Sequence, residues 1–254
     1  MINKEKAFVL LEGFKAEYDF AGKPPADITE FIKCLGWEEI GKGKNRSLVL
    51  WNGEHLFSDF LEKWEFDRDI SKEDGTPISK EYLKNVGLAL KYEYAWDAVA
   101  AILFLQSDLP RELLLESSND LECSIILSKE RYFKQAFQVL RNYCEVCVSI
   151  MYFQRNKGMY IAWLNDMETY HFPEYREMLN VLTGYLEERE KDYLKKCYRR
   201  LNHSVHSKRK RLNMNIERLE GEVRSFYCEN TSEWSEEFMS IAKFMLELYV
   251  RKYL

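Results

Sequence analysis

"RYFKQAFQVLRNYCEVCVSIMYFQ", residues 131–154, is the stretch that decides the fold. Its apolar positions Phe133, Phe137, Leu140, Cys144, Cys147 and Met151 step by four and three in turn. That spacing lines them up along one stripe of an α-helix, whereas a half-buried strand would alternate at every second residue. Such a stripe is the seam of a packed helix pair. The pattern predicts a long helix from Ser128 to "NKG" (156–158), with Gly158 suited to a left-handed C-terminal cap.

The same reading extends in both directions. The closing segment repeats the spacing with Trp234, Phe238, Ile241, Met245 and Leu248, after "CENTSEWSEE", which reads as a turn and an N-cap. "KEYLKNVGLALKYEYAWDAVAAILFLQ" (80–106) reads as another long helix. Pro110 interrupts, and "LPRELLLESSNDLE" reads as a turn or a short helix. Pro173 breaks the segment 159–185, and a further helix runs from about 186 to 206. Towards the N-terminus, "EKAFVLLEGFKAEYDF" and "ADITEFIKCLGW" are helix candidates, the second with Asp27 as N-cap and Glu30 three residues on. "HLFSDFLEKWEF" is helical in pattern, and "RSLVLW" (46–51) is a strand or a helical turn. "DRDISKEDGTPISKE", with Gly75 and Pro77, is the best linker. The expectation is an all-α protein. A four- to five-helix bundle occupies 115–254, and an irregular helical region of unknown role occupies 1–110.

Composition agrees. Glycine (11) and proline (5) are few in 254 residues, which disfavours a turn-rich sheet protein. With 46% hydrophobic and 31% charged residues the chain is neither disordered nor a membrane protein. Its most apolar run, "AWDAVAAILFL" (95–105), is far short of the roughly 20 residues a bilayer needs. The N-terminal apolar run is too short for a signal peptide, so the chain reads as cytoplasmic, without a membrane partner. Of six cysteines only Cys144 and Cys147 are close, as "CEVC" inside the helical seam. Zinc would want a second pair, and a redox pair would follow a strand, so these read as buried thiols.

The chemistry-bearing stretch is "YRRLNHSVHSKRKRLN", 198–213, with two of the four histidines. On a helical projection, Leu194, Tyr198, Leu201 and Val205 share a narrow arc and form the expected buried stripe. Asn202, His206, Arg199, His203 and Arg200 fall on the other side. From Lys195 to Arg211 there are eight basic residues (Lys195, Lys196, Arg199, Arg200, Lys208, Arg209, Lys210 and Arg211) and no acidic one, in a chain of net charge −5. A basic island on an acidic protein is a local anion site, for nucleic-acid phosphates or for a partner's acidic surface. The plain alternative is a solvated helix face.

Two imidazoles, an amide and arginines on one face also suit RNA cleavage without a metal. A histidine can take the 2′-hydroxyl proton or protonate the leaving 5′-oxygen, and an arginine fork can hold the pentavalent phosphorus. No glycine-rich phosphate loop, metal carboxylate pair or zinc spacing is present, so no cofactor is expected.

Two pieces of the chain resemble the HEPN superfamily of prokaryotic defence and toxin proteins: the helix quoted above, with Arg141 and Glu145 one turn apart, and "YRRLNHSVHS". In nuclease members a later helix carries an arginine followed after four to six residues by histidine; Arg200 to His206 has five residues between. Asn202 to His206 has the polar-to-histidine spacing of the common form, although Leu201 stands where the polar residue would directly follow the arginine. The resemblance covers about 115–254. It implies a metal-independent endoribonuclease acting as a homodimer and leaving a 2′,3′-cyclic phosphate, in antiviral abortive infection or toxin–antitoxin control, with an antitoxin or defence partner. Arg200, Asn202 and His206 would be catalytic, and Arg199, His203 and Glu145 supporting. Lys195, Lys196, Lys208, Arg209, Lys210 and Arg211 would bind RNA. A non-catalytic HEPN-like module that binds nucleic acid or a partner protein through the same face is the alternative.

Overall fold

The computed structural model describes residues 2–14, 26–36, 38–40, 47–49, 80–129, 132–165, 171–205 and 223–254. The segment "HLFSDFLEKWEF", most of the expected linker, His206 and the basic run Lys208–Arg211 lie outside them. The class is all-α. Among the described residues nine helices run in the order α1 (Lys4–Gly13), α2 (Ala26–Cys34), α3 (Lys80–Gln106), α4 (Arg111–Lys129), α5 (Phe133–Arg155), α6 (Lys157–Leu164), α7 (Tyr175–Val181), α8 (Glu188–Val205) and α9 (Val223–Tyr253). Between α2 and α3, β1 (Glu38–Ile40) and β2 (Ser47–Val49) form an antiparallel ribbon in register Glu39 to Leu48. Thus the 46–51 segment contributes a short strand. No helix among the described residues is long and apolar enough to cross a membrane.

The chain divides into two compact units, Met1–Ile102 with Ala242–Leu254, and Leu103–Ile241. In the first unit α1 packs on α2. Asn3 caps α1 by accepting the Lys6 backbone N–H at 3.0 Å. Asp27 is not the N-cap of α2. It lies within the first turn and accepts the ammonium of Lys91 at 3.0 Å. Every residue of α3 from Val86 to Trp96 is buried, Lys91 included, so the Asp27 carboxylate offsets part of the cost of a charge removed from water. Phe14 stands edge-on to Phe31 and Tyr92, and Trp96 edge-on to Tyr249.

The second unit is built around α5, which packs against α4, α6, α7 and α8. The seam Phe133, Phe137, Leu140, Cys144, Cys147 and Met151 is buried throughout, and burial becomes all-round from Val146 to Phe153. Two boundaries differ from the sequence reading. The helix expected from Ser128 is two helices, since α4 continues to Lys129 and α5 starts at Phe133. "RELLLESSNDLE" is therefore the body of a 19-residue helix. Its serines do not break it, because three of the four are buried and bonded: Ser117 and Ser128 hydroxyls bond carbonyls three residues back, and Ser124 bonds the Ala136 carbonyl of α5 at 3.0 Å. Gly158 does not cap α5. Asn156 does, and Gly158 lies in the first turn of α6.

A capping box of Glu174 and Glu177 starts α7 after Pro173, and Gly184, at φ 85°, makes the turn into α8. The α8 N-terminus is closed by Glu190, whose carboxylate accepts the Glu187 N–H at 2.7 Å. The closing helix α9 runs unbroken through "CENTSEWSEE", where a turn was expected. Trp234, Phe238, Ile241, Met245 and Leu248 are buried as their spacing requires.

Candidate functional site

The geometry of α8 divides the expected site. Its buried stripe is Leu194, Cys197 and Leu201, rotated towards Cys197 from the predicted arc. Tyr198 and Val205, assigned to that stripe, are only half-buried. The rotation places Tyr198 and Asn202, one turn apart, on one flank and Arg200 on the other.

On the Arg200 flank, the guanidinium forms a bidentate pair with Glu237 of α9. Nε donates to one carboxylate oxygen at 2.6 Å and Nη2 to the other at 3.0 Å. Nη2 also reaches Cys197 Sγ at 3.3 Å. The Glu237 bonds hold the guanidinium protonated far beyond its ordinary range, against the effect of burial.

On the other flank a polar cluster joins α4, α5 and α8. Arg141 Nη2 donates to Glu145 Oε1 and to the Tyr198 hydroxyl, each at 3.0 Å. The Tyr198 hydroxyl in turn donates to Glu145 Oε1. The Tyr198 ring stacks on Tyr175, with centroids 4.1 Å apart and 10° between planes, and the Arg141 guanidinium carbon sits 5.1 Å from the Tyr198 centroid. Burial, and then the bond to Glu145, raise the Tyr198 phenol above its ordinary range. Burial opposes the charge on Arg141, but Glu145 outweighs it. Arg141 Nε is buried and meets no acceptor among the described residues. An unpaired buried donor costs about 1–3 kcal/mol, so this N–H is a feature to be explained.

At the next residue of α5, Asn142 Nδ2 donates to Asp120 Oδ2 of α4 at 2.9 Å and to Glu116 Oε1 at 3.4 Å. Burial is the main cause that pushes the Asp120 carboxyl up to about 7, and the charges of Glu116 and Glu145 add to it. Asp120 therefore titrates in the neutral range.

The remaining expected residues are placed as follows. Arg199 and His203 are exposed and Asn202 is half-buried, and among the described residues none of the three makes a side-chain hydrogen bond or ion pair. Lys195 lies 3.9 Å from Asp192, and Lys196 is exposed. Glu145 pairs with Arg141 of its own helix. His206, Lys208, Arg209, Lys210 and Arg211 lie outside the described residues. The sequence reading did not pick out Tyr198, Asp120, Asn142 or Glu237 as site residues. Tyr198 carried a usable signal, being a phenol at the edge of an apolar arc. The others become visible only when α4 and α9 are brought beside α5 and α8. Among the described residues no three His, Cys, Asp or Glu side chains form a group that could hold a metal ion.

No protein-family model, curated protein or solved structure matches the chain.

Proposed function

We propose that residues 115–254 form a HEPN-like bundle that serves a cytoplasmic, homodimeric, metal-independent endoribonuclease of a prokaryotic defence or toxin–antitoxin system. The observation that carries this reading is the polar flank of α8. Arg199 and His203 are exposed and Asn202 is half-buried, all without side-chain partners among the described residues, and Asn202 lies one turn from Tyr198 of the Arg141–Glu145–Tyr198 cluster. A side-chain set of this kind suits an RNA phosphodiester. His206, four residues beyond Asn202 in the sequence, is the acid/base, Asn202 positions the phosphate or the imidazole, and a guanidinium takes the developing charge.

The test is incubation of the full chain with a long RNA in EDTA, beside H206A. The expected outcome is cleavage by the wild type, loss of cleavage in H206A, and products ending in 2′,3′-cyclic phosphate. Cleavage that survives H206A unchanged refutes the assignment. The Arg200–Glu237 pair favours a second reading, because it engages an expected catalytic arginine inside the fold. Under that reading the same face binds nucleic acid or a partner protein without chemistry, and RNA is bound but never cut.

A further inference from the structure

Two arginines compete for the role of phosphate receptor, and their surroundings differ. Arg200 donates from both Nε and Nη2 to the two oxygens of one carboxylate, so the fork that would grip a phosphate already grips Glu237. Arg141 bonds through Nη2 alone, with Glu145 Oε1 and the Tyr198 hydroxyl as its acceptors. A guanidinium has five N–H donors. Arg141 therefore keeps its Nε–H and both Nη1 hydrogens without an acceptor among the described residues.

Its position is suitable as well. Arg141 sits against the ring of Tyr198, which lies one α8 turn from Asn202 on the same flank, and its side chain is 28% exposed. The Tyr198 ring is itself fixed by stacking on Tyr175. A receptor for an anion should be pre-placed, partly shielded from water and short of acceptors. Arg141 meets all three conditions; Arg200 is more exposed, at 44%, and with Nε and Nη2 both engaged it keeps Nη1 alone.

Resting on the reading of this face as RNA-handling, we infer that Arg141 of α5, and not Arg200 of α8, is the guanidinium that receives an RNA phosphate beside Asn202. Glu145 is then a competitor as well as a support. It holds Arg141 in place when RNA is absent and gives up part of the bond when a phosphate arrives.

The experiment uses the full chain and a fluorescein-labelled 2′-O-methyl oligoribonucleotide, which cannot undergo 2′-hydroxyl attack. Fluorescence anisotropy compares wild type, R141Q, R141K, R200Q, E145Q and the control R189Q, whose side chain is exposed and paired with Glu187. Circular dichroism checks the fold of each. R141Q is expected to raise Kd by about tenfold or more, the loss of a charge-assisted bond, and R141K by less, since a lysine keeps the charge without the fork. R200Q should weaken binding less than R141Q, and R189Q should match the wild type. E145Q should bind more tightly than wild type, a gain that mere damage to packing would not produce. An R141Q protein that binds like wild type, an R200Q loss larger than that of R141Q, or a wild type that does not bind the oligonucleotide overturns the inference.

A single-turnover cleavage assay in EDTA separates this inference from the nuclease reading. With an active wild type, R141Q should slow cleavage by about 10²–10³-fold, the effect of removing one transition-state donor. An active wild type with an equally active R141Q removes Arg141 and leaves the nuclease standing. An inactive wild type that binds in the expected rank order ends the nuclease reading and keeps Arg141 as the phosphate receptor of a binding module.

Discussion

Arg200 and Glu237 form a two-pronged ion pair between α8 and α9, at 2.6 and 3.0 Å. The pair is only partly shielded, with side chains 44% and 19% exposed. Solvent screening therefore keeps its contribution small despite good geometry. A double-mutant cycle of R200Q and E237Q, read by urea unfolding, should give a coupling of about 0.5–1 kcal/mol. Zero coupling would mean that the pair does not tie α8 to α9.

Trp234 and Ser124 make a second tie, and this one is fully buried. The indole N–H donates to Ser124 Oγ at 3.1 Å, and that hydroxyl donates to the Ala136 carbonyl at 3.0 Å. One small side chain thus satisfies groups from α9 and α5. S124A leaves the indole N–H without its acceptor, and the expected cost is about 1–3 kcal/mol in urea unfolding. Adding W234F should recover part of that cost, because the orphaned donor is gone. A double variant less stable than the sum of the two single variants would show that the relay is not what the serine supplies.

How far these relationships were legible in the sequence depends on their range. The α5 seam was legible because six apolar residues repeat at helical spacing, and every one is buried. The bounds of α3, Lys80 to Gln106, followed from an uninterrupted helical run. The extent of α4 was not legible. "ESSND" has the composition of a break, and only the neighbouring α5 carbonyl shows why Ser124 belongs in a helix. "CENTSEWSEE" misled in the same way, for propensity gave way to tertiary context. At the candidate site the face of α8 was legible, but its division into two flanks was not. Glu237 is 37 residues from Arg200, and no local pattern announces their pairing. Tyr198 was read as core because its spacing matches Leu194 and Leu201, while its hydroxyl bonds Arg141 and Glu145 at the edge of that core.

Asp120 gives a pH signature. Its carboxyl titrates near 7 in the fold and near 3.9 in an unfolded chain. The folded state therefore binds the proton more tightly, and the associated stability is present below about pH 4 and disappears as pH rises through about 7. The carboxyl is only partly buried, so the full shift overstates the effect. After allowance for screening, the expected change between pH 5 and pH 8 is about 1–2 kcal/mol. D120N should remove most of that slope, since the amide oxygen can still accept from Asn142. Urea unfolding at the two pH values measures both proteins. Equal slopes in wild type and D120N would place the neutral-range titration elsewhere.

The basic run Lys208, Arg209, Lys210 and Arg211 should supply attraction and not chemistry. It continues the charge of Lys195, Lys196, Arg199 and Arg200 without an intervening acid, in a chain whose net charge is −5. A phosphate backbone bound by such a run releases condensed counterions, so affinity falls with salt along a straight line on logarithmic axes. Replacing all four with glutamine should flatten that line by about 0.7 units for each single-strand phosphate that the run no longer neutralises. Affinity at low salt should fall with it, whatever the RNA sequence, because phosphates carry no base identity. R141Q should behave differently, freeing one phosphate and changing the slope by no more than about one such increment. Titrations of the labelled oligonucleotide at several salt concentrations separate the two. A quadruple variant with the slope of the wild type would take 208–211 out of the interface and leave the α8 flank and Arg141 as the whole of the anion site.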